Sequence, residues 1–331
     1  MAEVVLKNLS KSFGSDIGIA DVSMTIPDGA FVVLLGPTGA GKTTTLRLIS
    51  GLEKADAGEI WIGGRNVGSD TPAQRDVAMV FQQYSLYPHL TVRDNLAFPL
   101  KSPILKTPAD EIARKIAEVA GVLQISHKLD NKATELSGGE MQRVSIGRAL
   151  VREPLIYLMD EPLSSLDAKL RTDLRVELKR IQASLGATLL YVTHDQIEAM
   201  TMATHVGVLN EGRLVQYGTP REIYENPNSL YVASRLGLPR INVLPAELFG
   251  GAPSGSTQIG MRPEHIRQGE GQDAKVKRVE HLGDQTRLHL DLQGHAITTV
   301  VDPHADYTPG THIKIAPRDP LYFDARGQRI L

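Results

Sequence analysis

The 331-residue chain carries 36 Lys and Arg against 38 Asp and Glu, a formal net charge of −2, and no cysteine. The near balance gives no nucleic-acid footprint, and the missing cysteines exclude a disulfide frame or a thiolate zinc site. No stretch approaches the roughly 18 apolar residues of a membrane span and the start MAEVVLKNLS lacks a signal-peptide pattern, so a soluble, cytoplasmic protein of two domains is expected.

Glu3 to Phe13 alternates as a strand, Gly14 turns, and a second strand runs through Ile19, Val22, Met24 and Ile26. Phe31 to Leu35 is a continuous apolar run suited to a buried parallel strand. It feeds GPTGAGKTT, where Gly36, Gly41, Lys42 and Thr43 meet the spacing G-x-x-x-x-G-K-[ST]. Glycines let backbone N–H groups curl around a polyanion, and a helix N-terminus adds positive dipole. Lys42 reaches the outer phosphates, and Thr43 offers its hydroxyl to Mg²⁺. The helix behind it runs from Thr43 to Ser50 and stops at Gly51, so the motif sits between a strand and a helix as a phosphate cradle must.

EIWIGGRNV reads as two short strands around Gly63 and Gly64, and Val77 to Phe81 as another, ending at Gln82. A polar residue there faces a ligand at the mouth of a parallel sheet, or simply terminates the strand. A helix follows with Thr107 as N-cap, Pro108 first and Ile112, Ile116, Val119 and Leu123 on one face. It belongs to an inserted helical subdomain of about residues 84–154. Within it, LSGGE puts Ser137 before a helix with Glu140 at capping-box spacing, while Gly138 and Gly139 leave the helix end bare, a second anion site.

Leu155 to Met159 reads as a buried strand delivering Asp160 and Glu161 to its C-terminal end. Beside a phosphate cradle, Asp160 suits Mg²⁺ and Glu161 the orientation of an attacking water. Ser164 to Gly186 has Leu166, Leu170, Leu174, Leu178, Ile181 and Leu185 at helical spacing. ATLLYVTHD is a further apolar strand ending at His194, which points to a γ-phosphate contact, with Asp195 and Glu198 capping the next helix. A hairpin around Glu211 and Gly212 and a helix from Thr219 close a first domain, 1–235.

From Leu236 short alternating runs separated by Gly, Asp and Pro predict a small all-β barrel or sandwich, 236–331. His265, His281, His289, His295, His304 and His312 fall in it without tight ligand spacing, which argues against a metal site. Basic and aromatic residues are not interleaved along its strands, which argues against an oligonucleotide.

Five elements thus stand in one order: GPTGAGKTT, VFQQ, LSGGE, LIYLMDEP and VTHD. Together they resemble the ATP-binding subunits of ATP-binding cassette (ABC) transporters, whereas the phosphate loop alone would leave kinases and GTPases open. The wording VFQQYSLYPHLTVRDNLAFPL and LSSLDAKLR is similar to the maltose-importer type used for carbohydrate and polyol uptake, and GMRPEHI to its C-terminal domain. The resemblance implies an α/β P-loop NTPase domain with a helical subdomain, followed by a small all-β, OB-like domain of the TOBE type with a regulatory and dimer-contacting role. It implies Phe13 stacking on adenine, the cradle Gly36, Pro37, Thr38, Gly39, Ala40, Gly41, Lys42, Thr43 and Thr44 on phosphate, and Gln82 linking the metal to membrane subunits. It further implies Ser137, Gly138 and Gly139 on the partner's γ-phosphate, Asp160 on Mg²⁺ through water, Glu161 as base, Asp167 at the dimer seam and His194 as γ-phosphate sensor.

The expected protein is therefore an ATPase acting as a homodimer with Mg²⁺, peripheral on the cytoplasmic face of the inner membrane. Its expected partners are two transmembrane permease subunits and a periplasmic or extracellular solute-binding protein, with no nucleic acid. The same engine on an oxyanion, polyamine or other importer, or in a soluble non-transport ABC ATPase, is the alternative. Phe13 stands where Tyr or Trp is commoner, Glu140 where Gln is, and Ser165 where Asn is, and these departures leave the role of Glu140 open.

Overall fold

The computed structural model describes residues 1–102 and 107–331. Contacts divide it into two compact units, Met1–Pro220 and Arg221–Leu331.

The first unit opens with the hairpin β1 (Val4–Phe13) and β2 (Asp16–Ile26), then β3 (Phe31–Leu35) and α1 (Lys42–Ser50). Next come β4 (Ala57–Ile62), β5 (Arg65–Asn66) and β6 (Val77–Val80). The inserted helices are α2 (Val92–Ala97), α3 (Ala109–Val122) and α4 (Gly138–Leu150). The chain returns through β7 (Ile156–Asp160), α5 (Ala168–Leu185), β8 (Leu189–Thr193), α6 (Gln196–Met202), β9 (His205–Asn210) and β10 (Arg213–Gly218).

One sheet has the order β10-β9-β3-β8-β7-β6, and in it β9, β3, β8, β7 and β6 run parallel. Parallel strands covered on both faces read as unbroken apolar runs, and FVVLL, IYLMD and LLYVT are buried at every position. A second, antiparallel sheet has the order β2-β1-β4-β5. Leu46, Leu48 and Ile49 of α1 join one core with Leu6, Ile26 and Ile60 of the antiparallel sheet and Leu34, Leu158 and Leu190 of the parallel one. The glycine-rich loop is thereby clamped between two rigid layers, with the carboxyl ends of β3, β6, β7 and β8 on the same edge of the parallel sheet.

Boundaries or buried faces differ from expectation at two helices, α3 and α5. Pro108, not Thr107, caps α3. The Ser164–Asp167 stretch is a turn, because Asp167 caps α5 by accepting from the N–H groups of Lys169 and Leu170. Leu174, Leu178 and Ile181 face the core, but Leu185 is exposed just before the Gly186 C-cap.

The second unit carries α7 (Pro220–Glu225) and α8 (Leu230–Arg235), followed by β11 (Asn242–Pro245), β12 (Gln258–Met261), β13 (Ile266–His281) and β14 (Thr286–Leu292). β15 (His295–Val301), β16 (His312–Pro317), β17 (Leu321–Phe323) and β18 (Arg329–Ile330) complete it. They form two four-stranded sheets, β11-β12-β17-β18 and β15-β14-β13-β16, the small all-β fold that the alternation predicts. The division falls earlier than the expected 235/236 boundary for a physical reason. The buried Arg262 guanidinium donates to the carbonyls of Tyr224, Ala233 and Leu236, so α7 and α8 are pinned to the β-sheets.

Candidate functional site

A cleft of about 230 Å³ is lined by Gly18, Thr38, Gly39, Gly41, Lys42, Thr43, Thr44, Gln82 and Glu161. Gly41 precedes α1 at φ 98°, in the left-handed region, and a Cβ there would lie 2.5 Å from the Gly18 carbonyl oxygen. Only glycine fits. No side chain caps α1, so its first N–H groups are left for an anion. Gly36 continues the β3 ladder by donating to the Thr193 carbonyl, and the Pro37 carbonyl accepts from the Ala40 N–H.

Lys42, only 5% exposed, donates from Nζ to the carbonyls of Gly36 and Pro37, each at 3.0 Å, and lies 3.4 Å from Oε1 of Glu161. Thr43 Oγ1 donates to Oδ1 of Asp160 at 3.0 Å. Burial pushes the Asp160 carboxyl above the usual range, and the Thr43 hydrogen bond opposes the shift. Oε2 of Glu161 lies 3.0 Å from Nδ1 of His194. Glu161 itself has φ 43°, a left-handed conformation that costs a non-glycine residue on the order of 1–3 kcal/mol. Its N–H donates to the Val192 carbonyl, and its carbonyl accepts from both the N–H and Oγ of Ser164, which holds the strained turn.

Phe13 is 44% exposed, and its ring edge packs on Gly18, at the rim of the cleft. Gln82 lies just past β6 with an exposed side chain and lines the cleft. The structure thus brings Phe13, the cradle, Gln82, Asp160, Glu161 and His194 to one edge of the sheet.

Ser137, Gly138, Gly139 and Asp167 do not line that cleft; Ser137 to Gly139 open α4 and Asp167 opens α5, with Leu170 of α5 beside Gly139. Ser137 caps α4 by accepting from the Glu140 N–H, and Glu140 accepts from the N–H and Oγ of Ser137 at 2.8 Å. Those bonds, first the backbone one, hold the Glu140 carboxyl below its usual range, and Lys128 lies 3.2 Å away. The role left open for Glu140 is therefore a capping box with a charged partner. A Cβ at Gly139 would lie 2.0 Å from the Cδ2 methyl of Leu170, so a side chain there would require Leu170 to change rotamer. Tyr84 Oη lies 3.2 Å from Oγ of Ser165, joining the loop after Gln82 to the turn before Asp167.

From its sequence the loop Gln83 to Leu90, with SLYPHL, is expected to expose aromatic and apolar side chains as a docking groove for membrane subunits. Its Tyr87 instead packs against Phe98 with ring centroids 4.4 Å apart, and Arg148 lies over its face at 4.9 Å. Fully buried Asn95 binds both N–H and carbonyl of Tyr87, so the loop is folded back on α2. Phe81 and Phe98 remain exposed beside it. Arg75, missed from sequence because its partners are distant, is buried with bonds to the carbonyls of Leu48 and Ile49 at the negative end of α1. Of the two expected caps of α6 only Asp195 caps it, accepting from the Ile197 N–H, while Glu198 is buried and accepts from Tyr191 Oη at 2.9 Å.

Among the described residues no group of three His, Cys, Asp or Glu could hold a metal alone, and no helix is long and apolar enough to cross a membrane. A hydroxyl hydrogen-bonded to a buried carboxylate beside a phosphate cradle does suit Mg²⁺, which binds through one or two protein oxygens, water and substrate phosphates.

Residues 19–164 match the family model described as ABC transporter, and 259–320 the TOBE domain. The chain is 49% identical, over 88% of each chain, to the sn-glycerol-3-phosphate import ATP-binding protein UgpC of Brucella abortus biovar 1 (strain 9-941). It is 45% identical to the protein of that name in Rhizobium meliloti (strain 1021), over the whole of both. Among solved structures it is similar to the dimeric MJ0796, a bacterial ABC transporter cassette, with 30% identity, a TM-score of 0.60, and 66% of this chain and 99% of that one covered. A nucleotide-free ATP-binding cassette from an ABC transporter is similar at 28% identity and a TM-score of 0.59, covering 66% and 92%. On these grounds the chain belongs to the ATP-binding subunits of ABC importers, of the maltose-importer type.

Proposed function

We propose that two copies of this ATP-hydrolysing subunit bind two ATP molecules between them and use closure to energise uptake of a polyol phosphate, sugar, glycoside or polyol through separate membrane subunits. The observation that carries the reading is the joining of the cradle, Asp160, Glu161 and His194 on one sheet edge while Ser137, Gly138 and Gly139 do not line the cleft. A site completed by a second copy accounts for both groups. The glycerol-3-phosphate named for the relatives supports the substrate class.

In this mechanism the bare N-terminus of α1 and Lys42 hold the β- and γ-phosphates, and Phe13 stacks on adenine. Thr43 and Asp160 would hold Mg²⁺, with Gln82 within reach. When bound, the ion neutralises charge building on the phosphate oxygens. Glu161 orients and deprotonates the attacking water, and His194, 3.0 Å from it, fixes that carboxylate and senses the γ-phosphate. Ser137 and the N–H groups of Gly138 and Gly139 meet the γ-phosphate of the other copy, with Asp167 at the seam. Exposed Phe81 and Phe98 support a docking face for permease subunits on the cytoplasmic side of the membrane, and the all-β domain acts in regulation and dimer contact. A solute-binding protein would deliver the cargo.

Co-purifying the chain with its permease subunits and measuring ATPase stimulation tests this. Stimulation by solute-binding protein loaded with glycerol-3-phosphate, but not with sulfate or a polyamine, is expected. Stimulation only by one of those other solutes would replace the substrate class.

A further inference from the structure

Arg171 does not line the cleft, yet it completes a ring of contacts around the Glu161 and His194 pair. The Glu161 carbonyl accepts from the Ser164 N–H at 3.2 Å and Oγ at 2.9 Å. The Ser164 and Leu166 carbonyls accept from Nη2 of Arg171 at 3.4 and 2.8 Å. Nη1 of Arg171 lies 4.0 Å from Oδ2 of Asp195, the residue after His194, and Nδ1 of His194 lies 3.0 Å from Oε2 of Glu161. Asp195 is fixed in turn, because its Oδ1 accepts from the Ile197 N–H at 2.7 Å and its own N–H donates to Thr193 Oγ1 at 3.0 Å.

Local helix physics does not explain this arginine. The first turn of α5 holds no acid but Lys169, and Arg171 follows at once, cations where the helix dipole favours anions. A cation there needs tertiary partners, and it has them in two carbonyls of one turn and the carboxylate of Asp195 on the next. A guanidinium can serve both sides at once because its donors diverge in one rigid plane; a lysine ammonium cannot span the same set.

We infer that Arg171 is a positioning residue for ATP hydrolysis: by tying the Ser164–Leu166 turn to the Asp195 turn, it sets the distance between the Glu161 carboxylate and the His194 ring. The inference rests on the reading of Glu161 as the base. It does not involve direct contact with the nucleotide, since Arg171 is not among the residues lining the cleft.

The test compares full-length Arg171→Met and Arg171→Lys with His194→Ala, Glu161→Gln and the double variant Arg171→Met/His194→Ala. Nucleotide affinity should stay within about twofold while single-turnover hydrolysis by Arg171→Met falls about 10- to 100-fold, the scale of a mispositioned catalytic group. Arg171→Lys should recover part of that rate. The double variant should be no slower than His194→Ala, since both changes break one unit. Hydrolysis within twofold of wild type in Arg171→Met, losses that multiply in the double variant, or an affinity loss matching the rate loss would overturn the inference. If Arg171→Met does not fold, Arg171→Lys combined with His194→Ala decides by the same criterion. Normal turnover by Glu161→Gln would instead remove the base reading, whatever Arg171 does.

Discussion

Nζ of Lys42 lies 3.4 Å from Oε1 of Glu161, so the charge offered to the outer phosphates and the carboxylate offered to water face each other across one cleft. The pair is held from outside, Lys42 by two carbonyls and Glu161 by a strained turn and His194. Neither side chain is therefore free to drift when the other is altered, and single substitutions should separate binding from chemistry.

Lys42→Ala deletes the mobile charge of the cradle. Nucleotide affinity should fall at least about tenfold, the scale of a lost charged hydrogen bond, and turnover should vanish with it. Fluorescent nucleotide titration checks this; near wild-type turnover would refute the assignment.

Glu161→Gln keeps the shape of the side chain and its reach to Lys42. ATP binding should persist while hydrolysis slows by about 10²- to 10⁴-fold, the range for a positioned base. A variant that turns over normally would move the base elsewhere, first to His194.

Glu198 gives a pH dependence of stability. Burial raises its carboxyl above the ordinary value of 4.5, against the lowering effect of hydrogen bonds from Thr193 and Tyr191. The folded state thus holds this proton more tightly than the unfolded chain does. The contribution is complete below 4.5 and is lost as pH rises through the higher folded value. Glu198→Gln should flatten the fall in Tm over that window, and calorimetry from pH 4 upward that shows an unchanged slope would contradict it.

Mixed dimers test the composite site. With Lys42→Ala and Ser137→Arg on different subunits, one site is spoiled twice and the other left whole; with both on one subunit, each site is spoiled once. One occluded nucleotide per dimer is expected in the split arrangement and none in the combined one. Ser137→Arg also removes the α4 cap, which costs about 1 kcal/mol, so its Tm should be measured alongside. The reverse occlusion pattern would place each site within one chain.

Much of this was legible in residue order, because its causes are local. A glycine with positive φ, a buried parallel strand and a capped helix each leave a signature within a few residues, so the cradle, Asp160, Glu161, His194 and the Ser137 helix could be named before any fold was known. The resemblance supplied the roles that local chemistry left open. What only the tertiary structure decided were relationships between distant segments: the Lys42, Glu161 and His194 chain, the strained φ of Glu161, Arg75 and Arg171 bound to carbonyls of other elements, and the folding of Tyr87 onto Phe98. The boundary at Pro220 belongs with these, since it depends on Arg262 reaching back to Tyr224, Ala233 and Leu236. A charged side chain buried against a carbonyl takes its partner from wherever the sheets bring one, and residue spacing carries no record of that partner.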